Sequence, residues 1–531
     1  MTPWRVGLLA AGIVLLVMVP LAANSTLHLR ADAMSNTALA HAVRRHGLPP
    51  SDPYLAGQPL HYHWGYNAAV AGLSALTGIE PLPLMVWLGP LALAMILVSA
   101  SRLARWLGGG DGGAALALVL VAVGLNGWGW LLLATRWVVG QVGFTQALTS
   151  GVSPFLHLLI QGYDVRLAFF VTKALVATSF IWDLAFLAIA VSAFLRFMQE
   201  GGWRHGAVFV LAAAAAAYAT TQVGAGLLAL VVAGLAVRLC LWRRREGTAA
   251  RSRALAALGL VALSLALVVP YLVVVMGDAA SEERLVWLAP PDGFHLLGAA
   301  AGLAPLWICA ALIGRPKRWG PQDLWLAYLA AGFVGAFLLV RVVDGVQTKF
   351  LFVAAMLLPV YVGSRSADLA AWRRRALWLA AASAVPTTAL GLVAYVYAPD
   401  TIDLSKAEAA TFDWIARNTP RETVVVARER STLVPILARR DLYVPDRVGF
   451  HRAARYDHAV WDRRTDQMHR LYDRGEAVPV LEAIAAELGR PVVLITRGEW
   501  RAADASRLRL LFSEGDLRTW AVGTADGRVT R

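Results

Sequence analysis

Apolar runs near the ~20 residues that carry a helix across a bilayer recur from the N-terminus to about Tyr397, which leaves few soluble folds open to this chain. Hydrophobic residues make up 58% of the 531, so the runs cannot all be hidden in one water-soluble core. Spans are expected near residues 6–24, 82–100, 114–134, 168–195, 206–219, 224–242, 254–276, 295–313, 324–342, 349–364 and 377–397, about eleven in all. The 206–219 run is short and is expected to pair tightly with the one after it. The expected fold is therefore a polytopic α-helical membrane protein. Beyond it, residues 400–531 alternate helical and strand-like patterns and read as a small C-terminal α/β soluble domain. The membrane domain is expected at residues 1–399, with a long external loop at residues 25–81.

A net charge of +14 could point to nucleic acid, but its placement argues otherwise. Alternate connectors hold eighteen Lys or Arg, among them Arg102, Arg105, Arg243, Arg244, Arg245 and the Arg373–Arg375 run, against five Asp or Glu. The remaining chain is close to neutral. The positive-inside rule makes the basic connectors cytoplasmic, with the N-terminus inside and the 25–81 loop and C-terminal domain outside. No nucleic-acid partner is expected. The first run, ending in Ala22-Ala23-Asn24, also fits a cleavable leader; retention is favoured because Asp32 would otherwise sit on a loose new terminus. Cys240 and Cys309 fall in predicted spans, which gives neither a disulfide framework nor a cysteine metal site. Abundant Ala, Arg and Gly fit a bacterial chain, hence a bacterial inner (plasma) membrane.

A loop as long as 25–81 has a task beyond joining two spans. Met34–His46 has helical spacing and is expected to lie on the membrane, broken by Gly47-Leu48-Pro49-Pro50. Leu60-His61-Tyr62-His63-Trp64-Gly65-Tyr66-Asn67 follows. Aromatic residues favour a membrane interface, and they also offer stacking faces for a sugar ring. His61 and His63 alternate as strand residues do, so an extended segment would turn both rings to one side. A divalent metal ion is one reading of that pair, with Asp52, His46 and Glu80 as the nearest further ligands. In the C-terminal part, Ser405 is expected to cap a helix stopped by Thr419-Pro420, with strands near 423–427, 442–444, 491–496, 508–512 and 518–522.

Asp32, the run Tyr54–Gly78, Gln161-Gly-Tyr163-Asp164-Val-Arg166-Leu, Thr348-Lys349-Phe350 and Trp414-Ile-Ala-Arg-Asn418-Thr419-Pro420 together resemble the GT-C glycosyltransferases. These multi-spanning enzymes move sugars from polyprenyl-phosphate carriers on the outer face of the membrane. The resemblance implies that an acid just past the first span, here Asp32, is the catalytic base. It also implies a polyprenyl-phosphate sugar as partner, in contact with membrane lipid, and a glycan, lipid or protein acceptor. An Asp-x-Asp pair is missing, since Arg30 and Met34 flank Asp32 at two residues' distance, and that weakens a metal-dependent course.

The chemistry also stands on the residue types. A hydroxyl attacking an anomeric carbon needs a carboxylate to take its proton, and a departing lipid phosphate needs cations. Arg166, Lys173, Arg341 and Lys349 all fall near outer span ends, where they either meet that phosphate or snorkel to the interface. His61, His63, Trp64, Tyr66 and Asp164 are the expected substrate contacts, although Asp164 and Arg166 could equally pair with each other. Asp183, the one carboxylate expected near a bilayer centre, is read as a structural tie to another helix. The competing class is a transporter or flippase of a lipid-linked or anionic substrate, which tends to show paired halves; no such symmetry is visible.

Overall fold

A computed structural model describes residues 2–24, 31–140, 143, 170–241, 248–276, 286–314, 319–342, 347–397, 404–445, 458–498, 500, 502 and 504–522. In chain order the elements are α1 (Pro3–Ala23), α2 (Ala31–His46), α3 (Gly65–Thr77), α4 (Pro81–Ala104), α5 (Gly110–Val123), α6 (Gly129–Val138), α7 (Ser179–Glu200), α8 (Trp203–Ala219), α9 (Thr221–Leu241) and α10 (Thr248–Met276). Strand β1 (Val286–Leu288), α11 (Gly293–Gly302), α12 (Ala304–Ile313), α13 (Pro321–Leu339), β2 (Val340–Val342), α14 (Thr348–Arg365) and α15 (Ala371–Val396) complete the apolar part. Then come α16 (Lys406–Asn418), β3 (Val424–Ala427), β4 (Asp441–Leu442), α17 (His458–Asp473), α18 (Ala477–Leu488), β5 (Val492–Arg497), β6 (Leu508–Glu514) and β7 (Leu517–Val522). Two compact units result: residues 1–28, 85–272 and 284–401 form the first, and residues 29–84, 273–283 and 402–531 the second. One division falls between residues 401 and 402, and residues 29–84, expected to belong to the membrane domain, cluster with the C-terminal residues.

The chain is a multi-pass membrane protein. Among the described residues eight helices are long and apolar enough to span, or nine if α11 and α12, bent by 60°, count as one. The expected count of eleven is not reached, for identifiable reasons. Helix α8, expected as a span, has 17 residues, at the lower limit of a crossing, and is not among the eight. Helices α4 and α5 are two helices joined across a kink at Arg105–Gly109, where Gly108 takes φ +104°, and together they account for only one of the eight although their 43 residues are long for a single crossing. The run expected as a single span at 114–134 is instead broken between α5 and α6, at a stretch rich in glycine.

That break exposes backbone groups in an apolar setting, and they are satisfied from neighbouring helices. Asn126 N donates to Gly302 O at 2.6 Å. Thr387 Oγ1 donates to Gly127 O at 2.6 Å and accepts from Trp130 N at 3.0 Å. Trp128 Nε1 reaches Ser383 Oγ at 2.8 Å, so α15 sutures the break with two hydroxyls.

Helices α5 and α14 touch backbone to backbone through Gly109, Gly113 and Gly363, the small-residue spacing that lets membrane helices approach closely. A methyl group on Gly113 would lie 2.1 Å from the Gly363 carbonyl oxygen, whereas one on Gly112 meets nothing within 4 Å. Gly113→Ala is expected to push the two helices apart and cost about 1–3 kcal/mol. Thermal unfolding should show a lower midpoint for G113A and little change for G112A.

In the second unit the sheet order is β4-β3-β5-β7-β6, with β4, β3 and β5 parallel and β7 and β6 antiparallel. Strand β3 is Val-Val-Val-Ala, buried at all four positions, as a parallel strand covered on both faces must be. Ser405 caps α16 as expected: its hydroxyl accepts from Glu408 N, and the Glu408 carboxylate accepts from Ser405 N at 2.9 Å. Helix α2 departs from its expected place on the membrane surface. Its Ala33, Ala38, Leu39, Ala40 and Ala42 are fully buried, and Ala38 packs with Phe412, Ile415 and Leu442 in the core of this unit.

Candidate active site

In the first unit a charged cluster forms where several helices begin. Thr178 caps α7 by accepting from Phe180 N at 3.2 Å, which starts the helix one turn before Asp183. Asp183 is completely buried, beside the Lys349 ammonium from the first turn of α14 and the Thr220 hydroxyl from the α8–α9 junction. Lys349 is an opposite charge on another helix, but neither carboxylate oxygen has a hydrogen-bond partner among the described residues. Lys349 Nζ lies 5.4 Å from the centre of the Phe180 ring, and Lys173 Nζ lies 5.2 Å from that of Phe352. The two rings meet edge to face at 5.4 Å. Two lysines thus share one aromatic pair, each contact contributing roughly 0.5–2 kcal/mol in a partly dry setting. The Lys349 ammonium stands at the start of α14, where unpaired backbone N–H groups also point, and such a place suits an anion.

Arg341 belongs to the same unit but is employed differently. Its NH1 donates to Leu338 O at 2.8 Å and its NH2 to Pro290 O at 2.9 Å, fixing the short β1–β2 ribbon in which Arg341 faces Trp287. The expectation that its guanidinium is held ready for a phosphate meets a side chain already bonding backbone carbonyls. Nearby, Asp292 and His295 Nδ1 are 2.6 Å apart, and His295 Nε2 is 3.2 Å from Gln347 Nε2 at the mouth of α14. Arg166 and Asp164 lie outside the described residues.

Within the second unit Asp32 is exposed in the first turn of α2. The helix packs its buried face into the unit's core and so holds the carboxylate at a defined edge. The 60–64 segment is bent rather than extended, which overturns the strand alternation expected of His61 and His63. His63 is buried and stacked on Tyr62 at 3.9 Å, while His61 is half-buried. Trp64 and Tyr66 are buried as well, so core packing accounts for most of this aromatic run. The candidate metal ligands have separate partners: Asp52 accepts from Tyr54 N at 2.7 Å, His46 lies 2.9 Å from Asp441, and Glu80 pairs with Arg439 at 3.0 Å. Among the described residues no three His, Cys, Asp or Glu gather as a metal site.

Sequence reasoning missed Asp441, which organises the unit. Fully buried at the start of β4, it takes Arg45 NH2 at 2.5 Å, His46 Nε2 at 2.9 Å and Arg490 NH2 at 2.6 Å. Burial alone would raise its pKa; the His46 hydrogen bond and the Arg45 and Arg490 charges overcome that and hold it well below the carboxylate range. His41, buried near Arg45, Arg439 and Arg44, is lowered from 6.5 to about 3, first by burial and then by those charges. Both groups bind fewer protons folded than unfolded, so each contributes stability that is lost as pH falls. The loss through His41 runs from pH 6.5 down towards 3, and that through Asp441 begins near 3.8. The unit's melting temperature should be level above pH 7, decline below 6.5 and fall more steeply below 4; His41→Gln should flatten the upper part of the decline.

No protein-family model and no curated protein matches the chain. Solved structures do. The chain is similar to ArnT from Cupriavidus metallidurans bound to undecaprenyl phosphate, at a TM-score of 0.59 and 13% identity over 98% of both chains. The apo state of the same protein matches at 0.55 and 14%, covering 96% of this chain and 98% of that one. The arabinofuranosyltransferase AftD from Mycobacteria matches at 0.55 and 14%, over 99% of this chain and 42% of AftD. The fold expected from the short motifs is the fold observed.

Proposed function

We propose that this chain, which has the GT-C fold of ArnT and AftD along its length, is a membrane glycosyltransferase that moves a sugar from a polyprenyl-phosphate donor to an acceptor at the outer face of a bacterial inner membrane. The observation that carries this reading is the pair Lys173 and Lys349, set over Phe352 and Phe180, with Lys349 in the first turn of α14. It joins two positive charges to an apolar wall, the composition a lipid phosphate requires.

In the proposed mechanism Asp32 takes the proton of the acceptor hydroxyl as its oxygen attacks the anomeric carbon. The bond to the carrier phosphate breaks, and the charge left on that phosphate is met by Lys349 and Lys173, with Arg166 as a further donor. A single displacement inverts the anomeric centre. Arg341 and the Asp292–His295–Gln347 series hold the segment that enters α14, and so position Lys349. Of the aromatic loop, half-buried His61 is the residue proposed to meet substrate, since His63, Trp64 and Tyr66 are buried.

Purified protein, supplied with a panel of polyprenyl-phosphate sugars and lipid or glycan acceptors, should form a covalent product. Substrate flux into proteoliposomes with no product would favour a transporter instead. Lys349→Met is expected to lower kcat/KM by roughly 10- to 100-fold, the cost of one charged hydrogen bond to phosphate. Because Lys349 also neighbours Asp183, the double variant Asp183→Asn with Lys349→Met separates lost phosphate binding from a stranded charge.

A further inference from the structure

The second unit holds a cavity of about 420 Å3 that none of the transfer chemistry uses, in the size range of small-ligand pockets, about 300–1,000 Å3. Its place follows from the strand order. The chain leaves β3 towards β4 on one side, and leaves β5 towards β7 and β6 on the other. Connections departing in opposite directions from adjacent parallel strands open a crevice at their carboxyl ends, where open α/β sheets bind ligands. Arg428 and Arg430 follow β3, Thr496 and Arg497 end β5, and these residues line the cavity.

The lining selects a chemical class. Each arginine faces an acid: Arg428 pairs with Asp473, Arg430 with Glu408 at 3.6 Å, and Arg497 with Glu408 at 2.6 Å and Glu429 at 2.9 Å. Donors and acceptors therefore alternate around the rim with little net charge, which suits neither phosphate nor a free cation. Tyr472 and Trp500 add an apolar wall, their ring centres 6.4 Å apart and tilted by 58°. Two polar groups are unspent: Thr411 Oγ1, in a residue only 1% exposed, and Trp500 Nε1 have no hydrogen-bond partner among the described residues. Buried groups of this kind are normally satisfied. Arg430 in addition holds φ +53°, a left-handed conformation unusual for a residue with a side chain, which aims its guanidinium at a backbone cost.

We propose that this cavity binds a neutral saccharide unit, its hydroxyls bridging the Arg–Glu rim and the unspent Thr411 and Trp500 groups and its ring lying on the aromatic wall. The site would bind sugar whether or not the chain transfers one, so its failure and the failure of the transferase reading are separate results. The test is saturation-transfer NMR on the full-length protein in detergent, with glucose, galactose, mannose, arabinose, maltose and lactose as probes, and glucose 6-phosphate and inorganic phosphate as comparisons. At least one neutral sugar should bind. Thr411→Val, which keeps the shape and removes the unspent hydroxyl, should weaken binding about tenfold or more without lowering the melting temperature. Arg430→Gly, which relieves the backbone while removing the whole side chain with its guanidinium, should do likewise, while Asp32→Asn should leave binding intact. Binding of none of these sugars, binding indifferent to both variants or lost in Asp32→Asn, or binding of the phosphate compounds alone would each overturn the proposal.

Discussion

Asp32→Asn is expected to slow sugar transfer by about 10²–10⁴-fold, or about 3–5 kcal/mol in the barrier, while the protein folds and inserts as before. The two effects separate because of where Asp32 sits. It is exposed in the first turn of α2 and makes no ion pair among the described residues, so its tie to the fold is the attraction of a carboxylate for a helix N-terminus. Losing that attraction costs at most about 1 kcal/mol, and asparagine keeps most of the polar contacts open to aspartate there. Loss of a general base has no such substitute, since an amide cannot accept the proton. Initial rates on a polyprenyl-phosphate sugar, beside thermal unfolding of the same preparations, would decide the matter. Full-rate transfer by a well-folded D32N protein would return Asp32 to an ordinary helix-end acid.

Asp441→Ala should be the most damaging single change in the second unit, at about 3–5 kcal/mol. The carboxylate is fully buried and receives Arg45 and Arg490, whose side chains are 6% and 17% exposed. Removing it strands buried guanidinium groups with no compensating charge. It also unlinks the end of α2 from β4, an attachment otherwise made by paired backbone bonds, Ala56 N to Leu442 O and Leu442 N to Pro53 O, both at 2.9 Å. Replacing the carboxylate together with its most buried partner, Asp441→Leu with Arg45→Met, should recover part of the loss, because only the more exposed Arg490 and His46 are then left without it. Denaturant titrations of the two variants and the parent would show the difference. A D441A protein as stable as the parent would mean the network is solvated.

Some of this was legible in one dimension. Each apolar run produced helix, because the transfer free energy of a residue depends on its side chain and hardly on distant partners. The strands of the C-terminal domain and the Ser405 capping box were legible for the same reason: alternation and a three-residue spacing are local. Hydropathy could not register the break at 124–129, since glycine and tryptophan leave an apolar average unchanged while ending a helix. Nor could it decide that α2 would be buried, because its alanines and serines suit a wet surface as well as a close-packed core.

Amino-acid order by itself determined that the chain crosses a membrane repeatedly and that its C-terminal part carries a small sheet. Tertiary structure alone decided which of its ionisable residues meet. Asp183 and Lys349 are 166 positions apart, and Arg45 and Asp441 are 396 apart. Whether such pairs form depends on which helix faces touch and in what rotation. Those choices are set by many small packing contacts summed over the whole fold, not by any signal carried within a few turns of the chain.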